Sequence, residues 1–239
     1  MTVAIEIVDD PARGCAAMMV GAALGAGHIV LTGGSTPRAA YGHFVQAVQT
    51  VGVDLRQTTF WIGDERCVDP GDERSNYRMI RESLLDPLGP ENQPVVHRIK
   101  AELGPEAGAE DYERVLRESG PPTFDLVLLG IGPDGHCASL FPGQSTLSER
   151  SRLVVGVPEA GLEPFVPRVS LTLPALTSGR QILFLASGAS KADAIAAAFG
   201  PGVEPNPQTP SSMLAPYADE ITVLLDPAAA AQLPGPEDR

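Results

Sequence analysis

Residues 124–143 read FDLVLLGIGPDGHCASLFPG and contain the clearest structural pattern in the chain. The apolar run from Leu126 to Leu129 has the near-continuous Val and Leu content of a strand that is buried on both faces of a sheet. The glycines at 130, 132 and 135 predict a turn in which the backbone can approach a ligand closely. A buried strand ending in such a turn is typical of an open α/β sheet, which binds ligands at the carboxyl ends of its strands.

Short apolar runs of the same kind alternate with longer helical patterns along the chain. The predicted strands are 3–8, 28–32, 59–62, 124–130, 152–157, 169–173, 181–186 and 221–225. The predicted helices are 11–25, 37–51, 75–85, 104–119 and 191–199. This alternation predicts an α/β fold with a doubly wound, mainly parallel sheet and helices on both faces. Since there is no composition shift or internal repeat, residues 1–239 are expected to form one domain.

The charge balance argues against two classes of partner. The 239-residue chain has 30 acidic and 17 basic residues, which gives a net charge of −13. A nucleic-acid-binding protein needs a basic surface, and anionic membranes attract basic segments. We therefore expect no binding to nucleic acid or to membranes. Lys100 and Lys191 are the only lysines among the 17 basic residues, so the position of each is informative.

The start of the chain and its cysteines predict a cytoplasmic protein. The opening MTVAIEIVDDP lacks the basic and apolar regions of a signal peptide, and no run of about 18 apolar residues predicts a membrane span. Cys15, Cys67 and Cys137 have no CxxC spacing, so neither a disulfide framework nor a cysteine zinc site is expected. No long apolar stripe requires a partner, which favours a monomer.

The first candidate binding site is the segment LTGGSTP at 31–37. A predicted strand ends in Gly33 and Gly34, and a helix is predicted to begin after the hydroxyls of Ser35 and Thr36. The free N–H groups and positive dipole of a helix start bind anions, so this turn is suited to a phosphate group. The alternative is an ordinary strand-to-helix turn in which Ser35 or Thr36 caps the helix.

Charged residues follow the predicted strand 59–62. Asp64 and Arg66 lie at the end of this strand, where α/β sheets bind their ligands. They are candidates for binding a phosphorylated substrate, and the alternative is a solvated loop with a local salt bridge. Ser75, further along, is predicted to cap the helix that follows it.

His136 and Asp134 are candidate catalytic residues in the glycine-rich turn. A histidine titrates near neutral pH and is suited to act as a general base. Asp134 lies two residues before His136 and is placed to orient the imidazole. Isolated histidines are more often structural, as we expect of His28 and His43. His136 differs because glycines surround it.

Two further cations are candidates for binding an anionic substrate. Lys191 follows a Gly/Ser turn and falls in the first turn of a predicted helix, where its charge opposes the helix dipole. A bound phosphate would remove that unfavourable interaction. Arg168 precedes a predicted strand and is suited either to bidentate binding of carboxylate or phosphate or to a structural ion pair.

Taken together, these segments resemble the 6-phosphogluconolactonase family, whose fold is shared with glucosamine-6-phosphate deaminases. The resemblance rests on five stretches in order: LTGGSTP, WIGDERCV followed by SNYRMIRESLL, FDLVLLGIGPDGHCASLFPG, RVSLTLPAL and LFLASGASKADAI. The sequence departs from the family at Cys137, where GHTASLFPG is usual. The resemblance implies a hydrolase that converts 6-phospho-D-glucono-1,5-lactone to 6-phospho-D-gluconate in the oxidative pentose phosphate pathway, without a metal or other cofactor.

The resemblance also implies roles for the candidate residues. His136 is expected to be the general base that activates water, with Asp134 as its orienting partner. The residues expected to bind the phosphate or the sugar hydroxyls are Gly33, Gly34, Ser35, Asp64, Arg66, Arg168 and Lys191.

Two alternatives belong to other functional classes. Deaminases of this fold usually read DGHIAFNEP, with a glutamate where this chain has Phe141, and they carry a tyrosine where it has Arg66. A non-enzymatic sugar-phosphate-binding module normally comes with a DNA-binding segment, for which this chain has no basic stretch. Acid release from 6-phosphogluconolactone, with ammonia release from glucosamine 6-phosphate as the control, distinguishes the three possibilities.

Overall fold

The computed structural model describes residues 2–119 and 123–234, and its strands form two sheets. The strands are β1 (Thr2–Ile7), β2 (His28–Leu31), β3 (Thr59–Ile62), β4 (Asp64–Arg66), β5 (Val95–His97), β6 (Leu126–Leu129), β7 (Val154–Val157), β8 (Arg168–Leu171), β9 (Gln181–Ala186) and β10 (Glu220–Leu225). The α-helices are α1 (Pro11–Leu24), α2 (Ser35–Val51), α3 (Asn76–Ile80), α4 (Asp86–Leu88), α5 (Pro105–Glu118), α6 (Leu173–Thr177) and α7 (Ala192–Phe199). A π-helical turn, Arg81–Leu85, joins α3 to α4.

The larger sheet has seven parallel strands in the order β1-β10-β9-β6-β2-β3-β5. Every residue of β3 and β6 is buried, which explains why these strands are continuous apolar runs. The predicted α/β fold with a mainly parallel sheet is confirmed, and six of the predicted strands lie in this sheet. β5 escaped prediction because it is only three residues long and lies, partly exposed, at the sheet edge.

A second sheet of three antiparallel strands, in the order β4-β8-β7, was not predicted as a separate unit. It contains the strands that were predicted at 152–157 and 169–173, so these two strands do not belong to the parallel sheet. β4 pairs with β8 so that Asp64 lies opposite Ser170 and Arg66 opposite Arg168. No apolar residue occurs in β4, so its sequence carries no strand signal and only the pairing reveals it.

Tyrosine hydroxyls bind the polar backbone groups at the strand ends near the carboxyl edge of the larger sheet. The hydroxyl of Tyr41 in α2 accepts a hydrogen bond from the Thr32 amide at 3.0 Å and donates to its carbonyl at 2.7 Å. The hydroxyl of Tyr112 in α5 accepts from the Ile62 amide at 2.9 Å. These bonds hold the ends of β2 and β3, so the turns that follow begin from defined positions. Among the described residues, no helix combines the length and apolar content needed to cross a membrane.

The buried carboxylate of Glu65 joins β4 to the start of α3. Glu65 is 3% exposed, and its oxygens accept hydrogen bonds from the amides of Arg66, Asn76 and Tyr77 and from the Ser75 hydroxyl. Burial raises the pKa of Glu65, and these four donors oppose that increase. Ser75 also caps α3, as predicted, by accepting from the Arg78 amide at 3.1 Å. The carboxylate therefore determines where α3 begins.

Replacing Glu65 with glutamine should destabilise the fold, because the amide group cannot accept all four hydrogen bonds. We expect E65Q to lower the free energy of unfolding by about 2–4 kcal/mol in urea titrations followed by circular dichroism. The matched control is Glu82→Gln, since Glu82 is exposed and makes a surface ion pair with Arg78. Equal effects of the two variants would contradict this role of Glu65.

Candidate active site

A cavity of about 240 Å³ opens at the carboxyl edge of the parallel sheet. Its wall consists of the turns that follow β2, β6 and β9, together with β4, the first residue of α3, and β8. This is the edge at which open α/β sheets bind ligands. The cavity therefore brings together segments that are far apart in the sequence, including each residue predicted to form the site except Asp134.

His136 and Asp134 form a hydrogen-bonded pair at this cavity. The Nδ1 atom of His136 lies 2.6 Å from Oδ1 of Asp134, and the His136 ring lines the cavity. The turn needs its glycines, because a Cβ atom on Gly132 would overlap the imidazole and Gly135 has a φ of +81°. Burial raises the pKa of Asp134, but its hydrogen bonds to His136 and the imidazole charge outweigh burial and bring the pKa below its usual value.

An aromatic ring supports the imidazole from another side. The ring of Phe141, which is 1% exposed, lies 4.7 Å from the His136 ring between centroids. The guanidinium of Arg168 lies 5.7 Å from the centre of the same Phe141 ring. His136 is thus held by a carboxylate and by a buried aromatic side chain, which limits the rotation of its ring.

The turn after β2 presents a helix start to the cavity. Helix α2 begins at Ser35, two residues before the predicted position, and its N-cap is Gly34 with a φ of +118°. No side chain makes a capping bond, so the alternative in which Ser35 or Thr36 caps the helix is wrong. The first amides of a helix have no carbonyl partner within it, and here they belong to residues that line the cavity. This geometry suits an anion.

Asp64 is a buried part of the cavity wall. It is 5% exposed, and its carboxylate accepts from the Ser139 hydroxyl at 2.6 Å and from the side-chain Nδ2 of Asn76 at 3.3 Å, whereas Arg66 donates elsewhere. The predicted alternative of a solvated loop with a local salt bridge is therefore wrong for this segment. Arg66 donates to the Arg74 carbonyl at 2.6 Å, while its buried Nε has no partner among the described residues.

Lys191 points its ammonium group towards the turn that carries the catalytic candidates. Its Nζ atom donates to the carbonyl of Ile131 at 2.7 Å. Burial lowers the pKa of Lys191, and the nearby charge of Asp134 opposes this effect. Lys191 lies at the N-cap of α7 and lines the cavity, so a cation stands at a helix start, as the sequence predicted.

Arg168 is bound mainly to backbone carbonyls. It is 3% exposed, and its guanidinium donates to the carbonyls of Pro164 at 2.9 Å and of Leu162 and Val166 at 3.3 Å. Burial lowers the pKa of Arg168, and the charge of Asp64 opposes the decrease. No carboxylate pairs with this guanidinium within residues 2–119 and 123–234, so the ion-pair alternative does not describe it. The side chain thus holds the loop of residues 162–166, of which Leu162 and Glu163 line the cavity.

The wall also contains residues that were not predicted to form the site, among them Asn76 and Ala138. Asn76 was treated as part of a helix start, although it lies in the quoted stretch SNYRMIRESLL and lines the cavity. Ala138, which also lines the cavity, has a φ of +49°, and an alanine gives no signal of that conformation. No group of three or more His, Cys, Asp or Glu residues that could hold a metal ion occurs in the part of the chain that the structure describes.

Comparisons with known proteins give a consistent result. A sequence model of the family described as glucosamine-6-phosphate isomerases/6-phosphogluconolactonase matches residues 6–223. The chain is 36% identical over 227 residues to the 6-phosphogluconolactonase of Streptomyces coelicolor, covering 89% of this chain and 84% of that protein. It is 36% identical over 215 residues to the 6-phosphogluconolactonase of Homo sapiens, covering 87% of this chain and 81% of that protein.

The fold agrees with a solved structure as well. The 6-phosphogluconolactonase from Trypanosoma brucei superposes with a TM-score of 0.81 at 28% identity, covering 98% of this chain and 99% of that chain. The family match spans most of the sequence, and the cavity holds the motifs on which the resemblance rests. The chain therefore belongs to the glucosamine-6-phosphate isomerase/6-phosphogluconolactonase family.

Proposed function

We propose that this chain is a 6-phosphogluconolactonase, which hydrolyses 6-phospho-D-glucono-1,5-lactone to 6-phospho-D-gluconate in the oxidative pentose phosphate pathway. The observation that carries the proposal is the Asp134–His136 pair beside a cavity that also contains Lys191, Arg66 and the start of α2. Hydrolysis of a phosphorylated lactone needs a base close to cationic groups. The names of the curated relatives state the same activity.

His136 acts as the general base in this proposal. Because the Asp134 carboxylate accepts a hydrogen bond, Nδ1 carries the ring proton and Nε2 keeps a free lone pair. Nε2 takes a proton from water while the water oxygen attacks C1 of the lactone. The imidazolium then gives this proton to the ring oxygen as the C1–O bond breaks, leaving a hydroxyl at C5 and a carboxyl group at C1. The charge of Asp134 stabilises the imidazolium between the two steps.

The phosphate binds to groups separate from the reacting ester. Lys191, Arg66 and the amides at Gly33, Gly34 and Ser35 supply positive charge and N–H donors in the same cavity. Binding energy from the phosphate positions the distant carbonyl for attack. Arg168 supports this part of the site through the loop that it anchors.

We also propose that the enzyme acts as a monomer in the cytoplasm. The large exposed apolar side chains lie on different elements, which does not suggest one continuous interface: Ile7, Leu24, Val51, Val95, Leu103, Phe165, Val203 and Tyr217. Its three cysteines are free, which agrees with a reducing compartment. Light scattering of the purified chain tests the monomer directly.

Removing the imidazole should abolish most of the turnover. We expect His136→Ala to lower kcat for 6-phosphogluconolactone by about 10²–10⁴-fold, because that is the usual contribution of a general base. Affinity for the product 6-phosphogluconate should change little. Acid release in a pH-stat, corrected for spontaneous hydrolysis, measures the rate, and calorimetry measures product binding. His43→Ala is the matched control, since His43 lies on α2 near Asp10 and outside the cavity. Normal turnover of H136A would remove His136 from this role.

Lys191→Met should mainly weaken binding of the phosphorylated substrate. The loss of one charge-assisted hydrogen bond predicts an increase in KM of about 10- to 100-fold. Hydrolysis of unphosphorylated D-glucono-1,5-lactone should fall much less, since K191M removes only the bond to the Ile131 carbonyl from that reaction. The other lysine provides the control, because Lys100 is exposed and pairs with Asp111 on the surface. An equal loss with both lactones would contradict phosphate binding by Lys191.

The pH dependence of product binding should report the ammonium group of Lys191. Because burial lowers its pKa, Lys191 loses its charge at a lower pH than an exposed lysine does. Affinity for 6-phosphogluconate should therefore fall as the pH rises towards that lowered pKa. Calorimetry across the alkaline range should detect the fall in the wild type and not in K191M. The same fall in K191M would assign the titration to another group.

A further inference from the structure

Asn76 supplies an acceptor without a protein donor to the cavity wall. The side chain is 3% exposed and lines the cavity. Its Nδ2 group donates to the backbone oxygen of Asp64 at 2.9 Å and to Oδ1 of Asp64 at 3.3 Å. Within the described residues its Oδ1 atom accepts no hydrogen bond. Buried polar atoms are normally paired, so an unpaired acceptor in a cavity wall is available to a ligand.

Gly33 allows Asn76 to take this position. A Cβ atom on Gly33 would overlap Oδ1 of Asn76. Gly33 is not among the glycines whose φ is positive, so its backbone conformation does not require glycine. The requirement comes from the close approach of the Asn76 side chain to the turn after β2. The amide oxygen is therefore held directly against the predicted binding turn.

The side chain of Asn76 is not needed to begin α3. The Glu65 carboxylate already accepts from the amides of Asn76 and Tyr77, at 2.8 and 2.7 Å. Ser75 caps the next amide, that of Arg78. Because these neighbours bind the amides at the helix start, the side-chain amide of Asn76 is left to bond to Asp64. These bonds fix its orientation in the cavity wall.

Asp64 and Asn76 together form a wall rich in acceptors. The Oδ2 atom of Asp64 accepts one hydrogen bond from Ser139, and its Oδ1 atom accepts one from Asn76. A carboxylate oxygen has capacity for a second bond. Three oxygens, two from Asp64 and one from Asn76, are thus available to hydroxyl donors.

We propose that Asn76, oriented by Asp64, is a specificity-determining residue that accepts a hydrogen bond from a ring hydroxyl of the sugar-lactone substrate. The inference rests on the proposed function, which supplies a substrate with free hydroxyls at C2, C3 and C4. A lactone without the contacted hydroxyl forms one hydrogen bond fewer to this wall and is a poorer substrate. Nothing else in the reaction depends on this contact, so it separates recognition from catalysis.

The test compares four substrates with two enzymes. The substrates are 6-phosphogluconolactone and its 2-deoxy, 3-deoxy and 4-deoxy forms, and the enzymes are the wild type and Asn76→Ala. We expect the variant to lose about 10- to 100-fold in kcat/KM with the parent lactone. With one of the deoxy lactones the two enzymes should be nearly equal, and that lactone identifies the hydroxyl. The same loss with all four substrates would overturn the proposal.

Ser75→Ala is the matched control for damage to the helix start. Ser75 is buried beside Asn76 but does not line the cavity, so any effect should be equal for all four lactones. Asn76→Ser serves as a second variant if Asn76→Ala fails to fold, because it shortens the side chain while keeping it polar. A substrate-dependent loss in S75A like that of N76A would also overturn the proposal.

Product binding separates this inference from the proposed function. Calorimetry with 6-phosphogluconate and its deoxy analogues needs no turnover. If the wild type fails to hydrolyse the lactone, the proposed function fails, while the calorimetric comparison still tests recognition by Asn76. We expect N76A to lose affinity for the parent product and for two of its three deoxy forms. A uniform affinity change across the four ligands would contradict recognition of a hydroxyl.

Discussion

Parallel pairing of β6 with β2 on one side and β9 on the other is the constraint on which the site depends. Val127 lies opposite Val30 in β2 and opposite Ile182 in β9. Because parallel strands end at the same edge, the turns that follow them meet there. These turns carry the helix start of α2, the Asp134–His136 pair and the segment leading to Lys191. A shift of one residue in this register would turn buried side chains to the opposite face.

The smaller antiparallel sheet contributes the charged side chains of Asp64, Arg66 and Arg168 to the cavity wall. Pairing of β4 with β8 sets Arg66 opposite Arg168, and the buried carboxylate of Asp64 lies on the same strand as Arg66. The result is a cavity with several cations in a chain whose net charge is −13. Binding depends on the local field, so the acidic total does not oppose a phosphorylated substrate. Some of the acidic residues pair with arginines at the surface, among them Asp54, Glu82 and Glu118.

Individual strands show which parts of the fold can be predicted from local sequence and which cannot. The buried strands β3 and β6 were predicted because both of their faces are covered and their sequences are apolar throughout. β4 was missed because it consists of charged residues whose strand character comes from its partner β8. The strands near 154 and 168 were located, but their sheet was not, since periodicity reports burial and not the identity of the neighbour.

The sequence by itself determined the α/β class, and it singled out the glycine-rich turns and His136, Asp134 and Lys191 as candidates, because these features depend on local composition and short spacing. Only the tertiary structure decided that Asn76 reaches the turn at Gly33, that Ser139 donates to Asp64, and that Arg168 binds loop carbonyls. These contacts join groups on different elements; Ser139 and Asp64 are 75 positions apart. Such pairs are set by strand register and packing, for which no local pattern exists.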